Sequence, residues 1–276
     1  MGKGLSADEV ALETGISRAA IYRYESGQPI RVDLLGKIAD FLGVSLSSLF
    51  GVGSEFIPSA RTFFDRMHQL EAAADQISVL FGPVSYLLTT ENYDRLLRQV
   101  LLESVPETAA NRNSLIGEID QILDVLAARK ETFSRRRPNI VSLISAAELE
   151  QLLNSGFVGK QGIIGDELVK RKAAARTEVK NILRLLVDQP MGIQIGVVED
   201  SLPGASFQIF RNGADAQVAV SPFRLGLYAN IRIGVATITS AHESVQLHQD
   251  VTAQLWRHSL KGDDAVLRLQ GMLDRL

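Results

Sequence analysis

The sequence predicts an α+β protein, mainly helical: an all-helical N-terminal domain followed by a C-terminal α/β module with a small mixed sheet and flanking helices. Three observations predict it. Residues 1–50 read as short helices separated by Gly and polar turns. Residues 51–62, Gly-Val-Gly-Ser-Glu-Phe-Ile-Pro-Ser-Ala-Arg-Thr, have the composition of a linker. Residues 63–276 mix long helical periodicity with β-branched runs. The expected domains are 1–52 and 63–276, joined by a linker at 53–62.

In the N-terminal part, Ser6 stands three residues before Glu9, the capping-box pattern, and opens a helix over 6–14. Val10 and Ala11 are expected to face inward. Gly15 suits a left-handed turn, and Ile16 plugs that turn into the core. Ser17 caps a second helix over 17–25, with Ile21 buried and Tyr24 partly buried, before Ser26-Gly27 ends it. Residues 33–43 form a third amphipathic helix and Ser45–Phe50 a short fourth, their apolar faces roofing the other two.

In the long segment, Phe63, Phe64, Met67, Leu70, Ala74 and Ile77 recur at helical spacing and predict a helix over 63–79. Further helices are predicted at 91–103 and 112–133. Asn139–Ser145 is a β-branched run after a Pro, read as a strand. Helices follow at 146–155, ending before Gly156, and at 165–187, ending before Pro190. Four strands come next, at 192–199, 206–211, 216–220 and 231–237, with Asn212-Gly213 marking a hairpin. Helices at 240–260 and 263–275 close the chain. In the first of these, Val245, His248, Val251, Thr252, Leu255 and Trp256 form a stripe that faces either core or partner. The single Trp suits an interface anchor.

Composition narrows the function classes. The chain has 276 residues, 46% hydrophobic and 22% charged, enough to bury a core without staples. It has no Cys, which excludes disulfides, thiolate metal sites and Cys nucleophiles. No window reaches about 18 uncharged apolar residues, and the N-terminus lacks a signal-peptide run, so a soluble, cytoplasmic protein with no membrane partner is expected. The net charge is −3. Residues 1–50 hold Lys3, Arg18, Arg23, Arg31 and Lys37 against Asp8, Glu9, Glu13, Glu25, Asp33 and Asp40. Net charge therefore gives no support to nucleic-acid binding; the placement of a few basic residues has to carry it.

That placement is informative. A helix entering the major groove presents its N-terminal residues and outer face to base edges. With Ile21 inside, Arg18, Ala19, Ala20, Tyr22 and Arg23 are left outside. Arg18 can reach a guanine or a phosphate, and Ala19 and Ala20 can touch a thymine methyl. Tyr22 and Arg23 can bond phosphate or base edges. Ser17, Gln28 and Arg31 are candidates for backbone contacts, which position without specifying. The bland alternative is a small helical bundle that never meets DNA.

On these residues the stretch 5–50 resembles the Xre family, the lambda-repressor type of helix-turn-helix. The matching pattern runs Leu5-Ser6, Val10-Ala11, Thr14-Gly15-Ile16-Ser17-Arg18, Ile21 to Gly27, then Leu35, Ile38-Ala39, Leu42 to Ser45 and Leu49. The resemblance implies a transcription regulator that binds double-stranded DNA, normally as a homodimer on a roughly palindromic operator. Two departures stand out. Ala7 occupies a position where the family usually has a Gln that supports DNA contacts. The family domain also begins with one more helix before Leu5, where only four residues remain here. Either the start is truncated or the domain manages with its remaining helices. In either case Val10, Ile38 and Leu42 are expected to be left uncovered.

Leu80 to Tyr93 resembles a motif of actinobacterial Xre regulators that carry a C-terminal domain of unknown function. Leu126–Phe133, Ile140–Ser145 with Glu148 and Leu149, Leu183–Leu186 and Gly192–Val198 extend that likeness. It implies a module that dimerises and senses a small-molecule effector or a protein partner. An antitoxin-like or adaptor protein is the alternative reading.

No catalytic constellation is complete, so no enzyme, cofactor or metal is expected. His242, His248 and His258 lie near Glu243, but the His-Glu-x-x-His spacing is absent. Gly159–Gly165 resembles a phosphate loop without its Gly-Lys-Ser/Thr end, and a simple loop is the commoner explanation. Arg135-Arg136-Arg137 fits a solvated helix end. The order of sheet and helices resembles phospholipase D-like halves, yet no His-x-Lys occurs.

Overall fold

The computed structural model describes residues 6–42, 53–80, 82–200 and 204–275. The expected fourth helix at Ser45–Phe50, together with Leu5 and Leu49, lies outside the described residues. The chain divides into two compact units, Met1–Glu55 with Thr239–Ala241, and Phe56–Ile238 with His242–Leu276.

The first unit holds helices α1 (Ala7–Thr14), α2 (Arg18–Glu25) and α3 (Val32–Leu42). The Ser6 hydroxyl accepts from the Glu9 N–H while the Glu9 carboxylate accepts from the Ser6 N–H at 2.7 Å, so the capping box is complete. That bond to the Ser6 backbone holds the Glu9 carboxyl below its ordinary value. Gly15 sits at φ 70°, a left-handed turn that a β-carbon would strain. Among the described residues its core consists of Ile16, Ala20 and Ile21, with Ala7, Val10, Ala11, Tyr24, Leu34 and Ile38 packed around them. Val10 and Ile38, expected to be uncovered, are thus half-buried; the Leu42 side chain lies outside the described residues.

The second unit is a sheet with helices on both faces. Its strands are β1 (Ser54–Ile57), β2 (Gln76–Leu80), β3 (Asn139–Ser145), β4 (Ile193–Val198), β5 (Ser206–Asn212), β6 (Asp215–Ser221) and β7 (Ala236–Thr239). The order is β1-β7-β6-β5-β2-β3-β4. The sheet is mixed: β2 and β4 flank β3 in parallel, and β5 runs antiparallel to β2 and β6. Helices are α4 (Ala60–Ala73), α5 (Glu91–Glu103), α6 (Arg112–Arg136), α7 (Ala146–Ser155), α8 (Gly165–Asp188), α9 (His242–His258) and α10 (Gly262–Asp274).

Side-chain alternation along the strands sorts the two faces. Ile77 and Val79 of β2, Ile140 and Ile144 of β3 and Phe210 of β5 join a large core built with α4 to α8 and α10. Leu80, Leu143, Phe207 and Ile209 point to the other face, where Val245, Leu255 and Trp256 of α9 cover them. The expected α9 stripe therefore faces the sheet, except that Val251 is exposed. Glu71 of α4 and Arg129 of α6 form a fully buried bidentate pair, with N···O distances of 2.9 and 2.6 Å.

Several expected boundaries are corrected. The helix read over 63–79 stops at Ala73; Ala74 is extended and 76–80 is the central strand β2. Ile77 continues the helical spacing by coincidence, while burial of Ile77 and Val79 follows period two. The linker read at 53–62 contains β1, with Ile57 buried, and the start of α4, which Ser59 caps. The strand read at 231–237 lies at Ala236–Thr239. The Asn230 side chain reels in 231–233 as a loop, donating to Pro222 O and Ile233 O at 3.1 and 2.7 Å and accepting from the Ile233 N–H. With β1 and β2 added, the sheet has seven strands among the described residues.

Candidate nucleic-acid interface

The geometry of the helix-turn-helix follows from its caps. Gly15 turns the chain, Ile16 anchors it, and the Ser17 hydroxyl accepts from the Ala20 N–H at 3.3 Å, fixing the first turn of α2. This directs Ser17, Arg18, Ala19, Tyr22 and Arg23 to solvent on one continuous face. Gln28 and Arg31 are exposed beyond the C-terminal end of α2.

One expected contact residue is misplaced. Ala20 is buried, at 7% exposure, against Ile16 and Ile21. Tyr24, four residues on, packs against the same core, so the helix turns this side inward and away from solvent. Its role is to let α2 pack closely; of the expected contact residues, Ser17, Arg18, Ala19, Tyr22, Arg23, Gln28 and Arg31 are exposed.

Electrostatics separate the basic side chains in a way that spacing does not reveal. Arg18 Nε lies 2.9 Å from Asp8 of α1, its Nη2 donates to the Tyr22 hydroxyl at 3.3 Å, and its guanidinium sits 5.5 Å from the Tyr22 ring centre. Arg31 is held by Asp33 through two bonds of 3.0 and 2.9 Å. Among the described residues, the side chains of Arg23 and Gln28 have no such partner. Exposed ion pairs contribute only about 0–1 kcal/mol. Arg18 and Arg31 can therefore exchange a carboxylate for a phosphate or base at small cost.

The other sequence candidates do not assemble into chemistry. Among the described residues no group of three or more His, Asp or Glu is arranged to hold a metal ion. His248 uses Nδ1 on Ser244 O at 2.7 Å and packs its ring on Phe207, whereas His242 and His258 are exposed. The Gly159 N–H donates to Glu103, and a β-carbon at Gly159 would lie 1.9 Å from Val100 O. That loop is pinned to α5 and faces a carboxylate, unlike a phosphate cradle. Arg135 to Arg137 are exposed at the end of α6. No helix among the described residues is long and apolar enough to cross a membrane.

The family comparison agrees with the N-terminal geometry. Residues 2–49 match a protein-family model described as helix-turn-helix. No curated protein matches the chain. Among solved structures, that of TrmBL2, an archaeal chromatin protein described with a novel mode of DNA binding, aligns over 93% of this chain and 88% of that chain. The identity is 10% and the TM-score 0.34, too low to define a shared fold.

Proposed function

We propose that the chain is a sequence-specific DNA-binding transcription regulator, with no catalytic activity of its own. The observation that carries this is the solvent face of α2: Arg18, Ala19, Tyr22 and Arg23 are presented beside a capped helix N-terminus, in a unit that matches the helix-turn-helix family. Arg18 and Arg23 read bases or phosphates, while Ser17, Gln28 and Arg31 set register on the backbone. The second unit dimerises the protein, so that two recognition helices meet two half-sites, and responds to an effector.

In-vitro selection of bound DNA tests the reading. A roughly palindromic consensus is the expected result. Arg18→Ala then weakens binding to that consensus by about 1–3 kcal/mol if Arg18 contacts a base. Unchanged affinity and sequence preference would remove Arg18 from the interface, and no enrichment of any sequence would refute the regulator.

A further inference from the structure

The second unit contains a cavity of about 110 Å3 that none of the comparisons assigns. It is several times the roughly 10–15 Å3 that admits one water. It opens where β2 and β3, a parallel pair, end: Gly82 and Pro83 follow β2, and Glu148 follows β3 in the first turn of α7. Carboxyl ends of parallel strands are where open α/β sheets bind ligands.

Two charged groups line this cavity. The Glu148 carboxyl is half-buried, and burial pushes it above its ordinary value, with the Arg224 charge pulling the other way. Arg224 lies at the exposed rim. Among the described residues neither side chain has an ion-pair or hydrogen-bond partner, although each feels the other's field. A half-buried carboxylate without an ion-pair partner is costly, and such groups gather at functional sites. Val84, Leu225 and Leu227 add apolar wall to the same cavity, beside Gln151 and the tyrosines.

The cavity is also built rather than incidental. Its aromatic wall, Tyr86 and Tyr93, is backed by Lys130, whose ammonium sits 4.7 and 5.9 Å from the two ring centres and 2.6 Å from Asp94. Arg224 and Asn230 exchange backbone bonds of 2.8 and 3.0 Å, which closes the loop that carries Arg224, Leu225, Leu227 and Tyr228. Tyr228 takes φ 47°, unusual for a bulky residue, and its N–H is held by Val158 O at 2.7 Å. Such strain persists where surrounding structure enforces it, typically at ligand clamps.

We infer that this cavity binds a small zwitterion, an apolar α-amino acid, whose ammonium meets Glu148 and whose carboxylate meets Arg224. The inference deepens the regulator reading by naming its effector, and rests on that reading only for the consequence on DNA. Calorimetric titration of the full chain with L-valine and L-leucine, each singly, tests it. Isoamylamine, isocaproate and glycerol serve as probes that keep only the amine, only the acid or neither. Valine or leucine is expected to bind, with each probe at least about tenfold weaker, the effect of losing one charge-assisted contact. Glu148→Gln and Arg224→Gln are each expected to weaken amino-acid binding by a similar factor, with unchanged far-UV circular dichroism reporting that both variants fold. Absence of heat with both amino acids, equal affinity for any of the probes, or affinity indifferent to both substitutions overturns the proposal. A chain that binds the amino acid but no DNA keeps this site and refutes the regulator. A chain that binds DNA but no amino acid does the reverse.

Discussion

The N-terminal unit and the C-terminal unit are built on different balances. In the first, Ile16, Ala20, Ile21 and Ala39 are the buried apolar residues among those described, and the helices are held by Ser6, Glu9, Gly15 and Ser17. Leu12 and Val32 stay exposed. In the second, a large core from Ile57 to Leu273 fills one face of the sheet, a smaller one lies under α9 on the other, and the Glu71–Arg129 pair is fully buried. Where the core is small, caps and turns specify structure, and these are local in sequence. Where the core is large, long-range packing specifies it, and the proposed ligand contacts sit in a few residues that no local pattern announces.

The largest test of this contrast removes one partner of the buried pair. Glu71→Gln leaves Arg129 charged and unpaired in the core, and is expected to cost about 3–5 kcal/mol in denaturant unfolding of the C-terminal unit. A loss under about 1 kcal/mol would mean that this core tolerates charge as a surface does. Next, Ile21→Ala removes a central side chain of the small core. A cost of about 2–4 kcal/mol is expected, enough to melt the N-terminal helices selectively and abolish DNA binding, with the C-terminal transition unmoved. Coincident loss of both transitions would show that the two units unfold as one.

Smaller effects probe the surfaces. Asp8→Asn frees Arg18 and removes one negative charge from the proposed interface. DNA affinity is expected to rise by up to about fivefold, consistent with an exposed pair worth about 0–1 kcal/mol; weaker binding would show that Asp8 orients Arg18 productively. The smallest expected effect concerns Glu148. Burial holds its folded-state pKa above the ordinary 4.5, so between those values the folded protein binds the proton more tightly than the unfolded chain. Stability contributed by this group is therefore lost as pH rises through that window. Glu148→Gln is expected to melt slightly higher than the parent at neutral pH, with the gap closing below the ordinary pKa. A variant that melts lower at neutral pH would place Glu148 among the stabilising residues instead.

Much of the fold was legible because several elements carry their own punctuation. α5 at Glu91–Glu103, β3 at Asn139–Ser145 and α7 at Ala146–Ser155 match the expected bounds, the last two set off by Pro138 and Gly156. β2 was not legible, because Ala74-Asp75 breaks the chain without Gly or Pro and Ile77 fits both periods. β1 hid in a segment whose composition reads as a linker. In the candidate interface, turn, caps and Ile21 could be read, but Ala20 could not, since a small apolar residue suits either side of a helix. The Asp8–Arg18 pair crosses a turn between two helices and has no fixed spacing to betray it. Glu148 and Arg224 come together only through the topology of the sheet.

The pairing of Arg18 with Asp8 and of Arg31 with Asp33 has a consequence for salt. A free surface cation that docks on a phosphate displaces condensed counterions from DNA, and affinity then falls steeply with ionic strength, at a slope of about −0.9 per phosphate neutralised. Here two of the three interface arginines already hold a carboxylate. Binding trades one anion for another at those positions and leaves Asp8 and Asp33 near the duplex, where they repel it. Association of the kind proposed should therefore be modest in dilute buffer and comparatively insensitive to added salt. Such a protein would depend on base contacts and symmetry, more than on bulk attraction, to find its site.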